Sequence, residues 1–149
     1  MSNDKWPWEV YKEETKDYNK YPDNYKDAVW WLNSEPLKDE PQYSVFMDKY
    51  PAVEGHRLYI PKMKDAPGMI GLCFQEAYRD GMEMIKEEKI DGFNIGLNQE
   101  VAAGQSIFWP HVHFIPRHKG DITGRNAGIR MTVHTIDPFN PDNLDKKSK

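Results

Sequence analysis

One stretch limits what this chain can fold into more than any other. Over residues 70–85 the side chains Ile70, Cys73, Phe74, Ala77, Tyr78, Gly81, Met84 and Ile85 recur at i, i+3, i+4 and i+7 spacing. That is the period of an amphipathic helix with one buried stripe. Asp65 stands where an N-cap belongs, and Pro67 falls in the first turn. Gly81 costs such a helix roughly 1 kcal/mol relative to Ala, yet the stripe continues past it. Short runs with strand character lie on either side, at 43–47, 57–60, 92–97, 111–115 and 129–136. A single long helix among several short strands predicts an α+β domain.

The rest of the chain divides around that unit. Residues 1–41 form a Trp-rich arm cut by prolines at 7, 22, 36 and 41, with a short helix expected over 24–32. Trp6, Trp8, Trp30 and Trp31 are too large and apolar to stand in water without partners, so the arm is expected to pack on the domain. The domain itself runs over 42–137, and 138–149 is a polar tail. With 149 residues the chain suits one core. Its lone cysteine, Cys73, falls on the helix stripe and excludes an internal disulfide or a Cys-based zinc site. No apolar run approaches the ~20 residues that span a bilayer. Residues 1–10 lack a signal-peptide core, so a cytoplasmic location is expected. A net charge of -4 argues against broad nucleic-acid binding.

Chemistry concentrates at His111 and His113. Two residues apart in a strand, they project from one face, roughly 7 Å apart. Such a pair reads as a metal pair, a catalytic pair or a coincidence. Just upstream, Val101-Ala102-Ala103-Gly104-Gln105-Ser106 supplies small residues, backbone amides and a hydroxyl. Donors beside a basic imidazole suit an anionic group such as phosphate. Neither a Walker A loop nor a nucleophile elbow is present. A catalytic zinc would need a third ligand from His56, His118 or His134, and no acidic residue follows His113 before Asp121.

Residues 104–117, Gly-Gln-Ser-Ile-Phe-Trp-Pro-His-Val-His-Phe-Ile-Pro-Arg, resemble the signature of the histidine triad (HIT) family of nucleotide hydrolases and transferases. That signature is Gly-Gln-Ser/Thr followed by three histidines alternating with apolar residues. The blocks at 45–51 and 54–62, and Asn98, resemble the family in order and spacing. The closing Ile-Pro-Arg at 115–117 resembles the dinucleoside polyphosphate hydrolase branch. One departure is plain: Trp109 occupies the first triad position, leaving His111 as the second and His113 as the third.

The resemblance implies a five-stranded antiparallel sheet, a two-fold dimer and a nucleotide substrate. His111 would attack the α-phosphorus to give a nucleotidyl-histidine that water then hydrolyses. His113 and Ser106 would stabilise charge on the phosphate and leaving group. Asp48 would bind ribose, and Asn98 and Gln105 the phosphate or the leaving side. Phe46 would line a base pocket, with His56, Trp109 and Arg117 around the substrate. No cofactor is implied, and a divalent ion enters only as a counter-ion of the nucleotide. A nucleoside phosphoramidase and a non-catalytic nucleotide-binding module are the rival readings. If the missing histidine limits the rate, Trp109→His should raise it.

Overall fold

The computed structural model describes residues 19–121 and 128–132, apart from the side chain of Met131. Trp6, Trp8, His134 and the tail at 138–149 lie outside the described residues. Five strands form one antiparallel sheet: β1 (Lys38–Asp39), β2 (Tyr43–Met47), β3 (Arg57–Pro61), β4 (Gly92–Leu97) and β5 (Val112–Arg117). Their order is β1-β2-β3-β5-β4. The long helix, α2 (Pro67–Lys86), leaves the end of β3 and delivers the chain to the far edge, where β4 lies; β5 then fills the gap between β3 and β4. A short helix, α1 (Tyr25–Val29), precedes the sheet and runs into a 3₁₀ turn at Trp30–Leu32.

The stripe of α2 packs as its spacing predicts. Cys73, Ala77 and Gly81 are buried against Tyr43, Val45, Tyr59, Val112 and Phe114. Burial pushes the Cys73 thiol up to about 12, so it is an inert core group. Gly81 has a packing reason: a Cβ there would stand 2.5 Å from the Phe93 ring and 2.9 Å from that of Phe114. The helix cost of glycine is offset by closer approach to the sheet. Phe74 and Tyr78, placed on the stripe by the sequence, lie on its flank and are exposed.

Three other expectations change. The N-cap of α2 is Ala66, without a side-chain bond, and Pro67 is the first helical residue. Proline drives the residue before it out of the helical region, so the boundary falls at Ala66 and Asp65 sits one residue too early. The fifth strand is not 129–136. Gly128–Thr132 forms a 3₁₀ turn, and 133–136 lie outside the described residues. The fifth strand is instead β1, two charged residues held by the Leu37 amide on the Val45 carbonyl at 2.7 Å and the Glu40 amide on that of Tyr43 at 2.8 Å. Finally, β5 starts at Val112 rather than His111. Pro110, which has no N–H, precedes it.

The face of the sheet away from α2 carries a second core. Ala28 and Leu32, from the arm, pack with Phe46, Leu58, Ile60, Ile107 and Trp109. Tyr25 and Ser44 share a hydroxyl–hydroxyl bond, and the Lys20 carbonyl accepts from the Phe108 amide at 2.8 Å. Trp30, by contrast, remains half-exposed. The arm therefore covers one half of this face and leaves the other half to the histidines. Among the described residues, no helix is long and apolar enough to cross a membrane.

Candidate active site

Strand register lays the histidines out in rows. Phe46 pairs with Leu58, Leu58 with His113, and His113 with Gly96. Facing partners in an antiparallel sheet project to the same side. One step along, the Asp48 amide donates to the His56 carbonyl at 2.9 Å, so those two side chains also stand together. At the opposite end, Leu97 faces Val112, and continuing the ladder brings Asn98 across from His111. Gly96 leaves its row open, since a Cβ there would meet nothing within 4 Å.

Hydrogen bonds fix where each imidazole carries its proton. The Ala52 amide donates to His56 Nδ1 at 2.9 Å. A neutral His56 therefore carries its hydrogen on Nε2. His56 Nε2 lies 2.9 Å from His113 Nδ1, so His113 Nδ1 accepts and its own hydrogen sits on Nε2. That Nε2 is buried and has no partner among the described residues. His111 Nδ1 donates to the Trp109 carbonyl at 2.9 Å, which leaves Nε2 of His111 with the lone pair. The His111 and His113 rings lie 5.2 Å apart between centroids. The site thus offers one nucleophilic nitrogen beside one waiting donor.

Electrostatics keeps this arrangement neutral. Burial lowers His56, although Asp48 opposes the shift and His111 adds to it. Burial also lowers His111, opposed by its bond to Trp109 and by Asp48. His113 falls to about 3, through burial first and then the neighbouring His111 and His56. All three imidazoles are uncharged at neutral pH.

A metal reading of the cluster meets a specific obstacle. Asp48 Oδ2 lies 3.3 Å from His56 Nε2 and 3.8 Å from His113 Nδ1, close enough for the three to share an ion. But the Ala52 N–H on Nδ1 of His56 keeps a proton on Nε2, the atom a cation would need. The donor set does not fit a resident metal.

The other residues singled out in the sequence divide into those the fold brings to the histidines and those it does not. Asp48 arrives there; its Oδ1 also accepts from the Tyr50 amide at 2.9 Å. Ser106 is half-buried in the loop ahead of His111. Gln105 is buried, with Oε1 accepting from the Glu100 amide at 2.7 Å. That bond braces Glu100, whose φ of 75° is an unusual conformation for a side-chain-bearing residue.

Phe46, Trp109 and Arg117 differ from expectation. The Phe46 ring is buried in the core under the arm rather than lining an open pocket. Trp109 is not on a substrate surface. It is 4% exposed in the same core, and its Nε1 donates to the Pro61 carbonyl at 2.9 Å. Its service to the site comes through its backbone carbonyl. Arg117 lies four residues along β5 from His113, roughly 13 Å away at strand rise, and its Nη1 donates to Asn94 at 2.9 Å. His118 is exposed beyond the strand.

The His56–His113 bond was not visible in the sequence, because 57 residues separate the two. A signal existed in the Gly-His pair at 55–56, but nothing in it names the partner.

Comparison with known proteins identifies the family of this fold. A family model described as the HIT domain matches residues 33–120. An adenylylsulfatase named HINT3 from Arabidopsis thaliana is 30% identical over 97 residues, covering 61% of this chain and 49% of that protein. An uncharacterised HIT-like protein of Methanocaldococcus jannaschii is 36% identical over 81 residues, covering 51% and 63%. The chain therefore spans about half to under two thirds of these relatives. Among solved structures, a HIT-family protein from Bacillus subtilis superposes with a TM-score of 0.54 at 25% identity, covering 85% of this chain and 93% of that one.

Proposed function

This chain belongs to the HIT domain family, and from that premise we propose that it is a nucleotide hydrolase working through a nucleotidyl-histidine. The observation that carries the reading is the pair of fixed tautomers: a lone pair on His111 Nε2 beside an unpartnered Nε2–H on His113. In the first step His111 Nε2 bonds to the α-phosphorus of a nucleotide conjugate. The bond from phosphorus to the leaving oxygen breaks, and its electron pair leaves with that oxygen. The Trp109 carbonyl, accepting from Nδ1–H, stabilises the imidazolium that results. Water then attacks phosphorus, the P–N bond breaks, and nucleoside monophosphate and a proton are released. The His113 Nε2–H and the Ser106 hydroxyl stabilise the oxygen charge that develops.

Because His113 is held neutral, it supplies a hydrogen bond rather than a readily transferred proton. That favours leaving groups that depart as stable anions. Dinucleoside polyphosphates such as diadenosine tetraphosphate are the preferred class, ahead of phosphoramidates, whose amine must be protonated. The name of the Arabidopsis relative adds adenylyl sulfate to the conjugates worth testing. The test is rapid quenching during turnover of diadenosine tetraphosphate, with mass spectrometry of the protein. A nucleotidyl adduct on the peptide containing His111 is expected; turnover with no adduct would exclude the covalent route.

Asp48 binds the ribose hydroxyls in this reading, since its side chain reaches the histidines and a carboxylate accepts from both hydroxyls. Asp48→Asn should lower kcat/KM about tenfold more for ribonucleotide conjugates than for their 2′-deoxy counterparts. Equal losses in the two series would remove the ribose role and leave Asp48 as a partner of His56.

The active unit is a homodimer. β4 is an edge strand, and beside it α2 exposes Phe74, Tyr78 and Met82. An open strand edge next to an apolar helix face suits a second copy of the chain. Light scattering should give twice the chain mass for the wild type and the single mass for Tyr78→Lys. A monomeric wild type would overturn the assembly. The protein works without a resident cofactor, a divalent ion accompanies the nucleotide only as counter-ion, and its place of work is the cytoplasm.

A further inference from the structure

The end of the sheet next to His111 holds a cavity of about 610 Å³ that the hydrolytic chemistry leaves unused. Two connections and the arm converge there: the one from β3 into α2, the one between β4 and β5, and Tyr21. Pro110, immediately before His111, is one wall, and Gln105 is another. The volume falls within the range of small-molecule sites and suits a nucleoside.

Its lining is specific. Tyr21 of the arm stacks on Phe108 with centroids 5.0 Å apart and planes 9° apart, and Tyr21 itself is 63% exposed. A rigid aromatic pair with an open ring is a stacking platform for a base. Gln105 is 94% buried by its 6% exposure. Its Oε1 is taken by the Glu100 amide, so its NH₂ is the polar group left to meet a ligand. Lys64 adds a cation, while Asp65 and Glu100 add carboxylates. The carboxylates disfavour a phosphate chain lodged inside the cavity but accept well from ribose hydroxyls or a base amino group. The phosphates then belong on the Pro110 side of the cavity, towards His111.

We propose that this cavity seats the nucleoside of the leaving group, with its base on Tyr21 and its phosphates directed towards His111. The leaving role rests on the nucleotide-hydrolase reading; the binding itself does not depend on turnover. It assigns the arm a role in selecting dinucleotides over simple nucleoside polyphosphates.

The experiment compares diadenosine tetraphosphate with adenosine 5′-tetraphosphate, which has the same phosphate chain and no second nucleoside. Kd is measured by calorimetry for the full chain, for Tyr21→Ala and for Tyr21→Trp, and AMP release is followed in parallel. The wild type should bind the dinucleotide about tenfold more tightly. Tyr21→Ala should remove that preference with adenosine 5′-tetraphosphate unaffected, and Tyr21→Trp should keep it. Equal Kd values in the wild type, or a preference that survives Tyr21→Ala, would overturn the proposal. AMP release decides the hydrolase reading separately: no turnover with an intact, Tyr21-dependent preference would refute hydrolysis and retain the cavity as a nucleoside site.

Discussion

His111→Ala should lower AMP release by about 10,000-fold or more while nucleotide Kd changes by less than threefold. A nucleophile makes its bond only on the way through the reaction, so its loss falls on kcat and not on ground-state binding. The alternative base, His113, cannot take over. Its Nδ1 is occupied by His56 and its Nε2 carries the hydrogen. The same geometry sets the pH profile. His111 lies below its ordinary value of 6.5 because burial disfavours the cation. Its lone pair is therefore present at pH 7 and above and is lost as pH falls through that lowered value. The acid limb of kcat/KM should lie below pH 6.5 with a slope of about tenfold per unit. Residual activity near the wild-type level in His111→Ala, with folding intact, would place the nucleophile elsewhere.

Much of this was legible in the chain because it was written in local periods. The stripe over 70–85 and the alternation at 111–115 each repeat within a few residues, and the fold keeps the helix and the strand, with Phe74 and Tyr78 turned to the flank and His111 just ahead of β5. What could not be read depends on partners distant in sequence. β1 is two charged residues whose strand character comes from the Val45 and Tyr43 carbonyls rather than from any pattern of its own. The His56–His113 bond, with Ala52 fixing its polarity, exists only because β3 and β5 are neighbours. Arg117 is the opposite case, a residue singled out by a local string that says nothing of its partner. Its position in a familiar-looking string suggested substrate, while strand geometry carried it away from His113 and gave it to Asn94.

Trp109 shows how far a motif position and a side chain's task can diverge. Taken as a lost histidine, it predicts that Trp109→His raises the rate. The structure predicts instead that the change costs about 3 kcal/mol of stability and leaves kcat within about threefold. The indole fills a core shared by Ala28, Leu32, Phe46, Leu58, Ile60 and Ile107, and a smaller ring opens a cavity that such a core closes only in part. The bond from Nε1 to the Pro61 carbonyl would be weakened or lost, adding to the cost. For a chain of this length the melting temperature should fall by about 10 °C. The rate should hold because the proposed reaction draws on the carbonyl of residue 109, which His111 Nδ1 meets whatever side chain the residue carries. Thermal denaturation and AMP release on the same preparation decide the matter. A faster enzyme with an unchanged melting temperature would mean that the indole obstructs the site rather than supporting it.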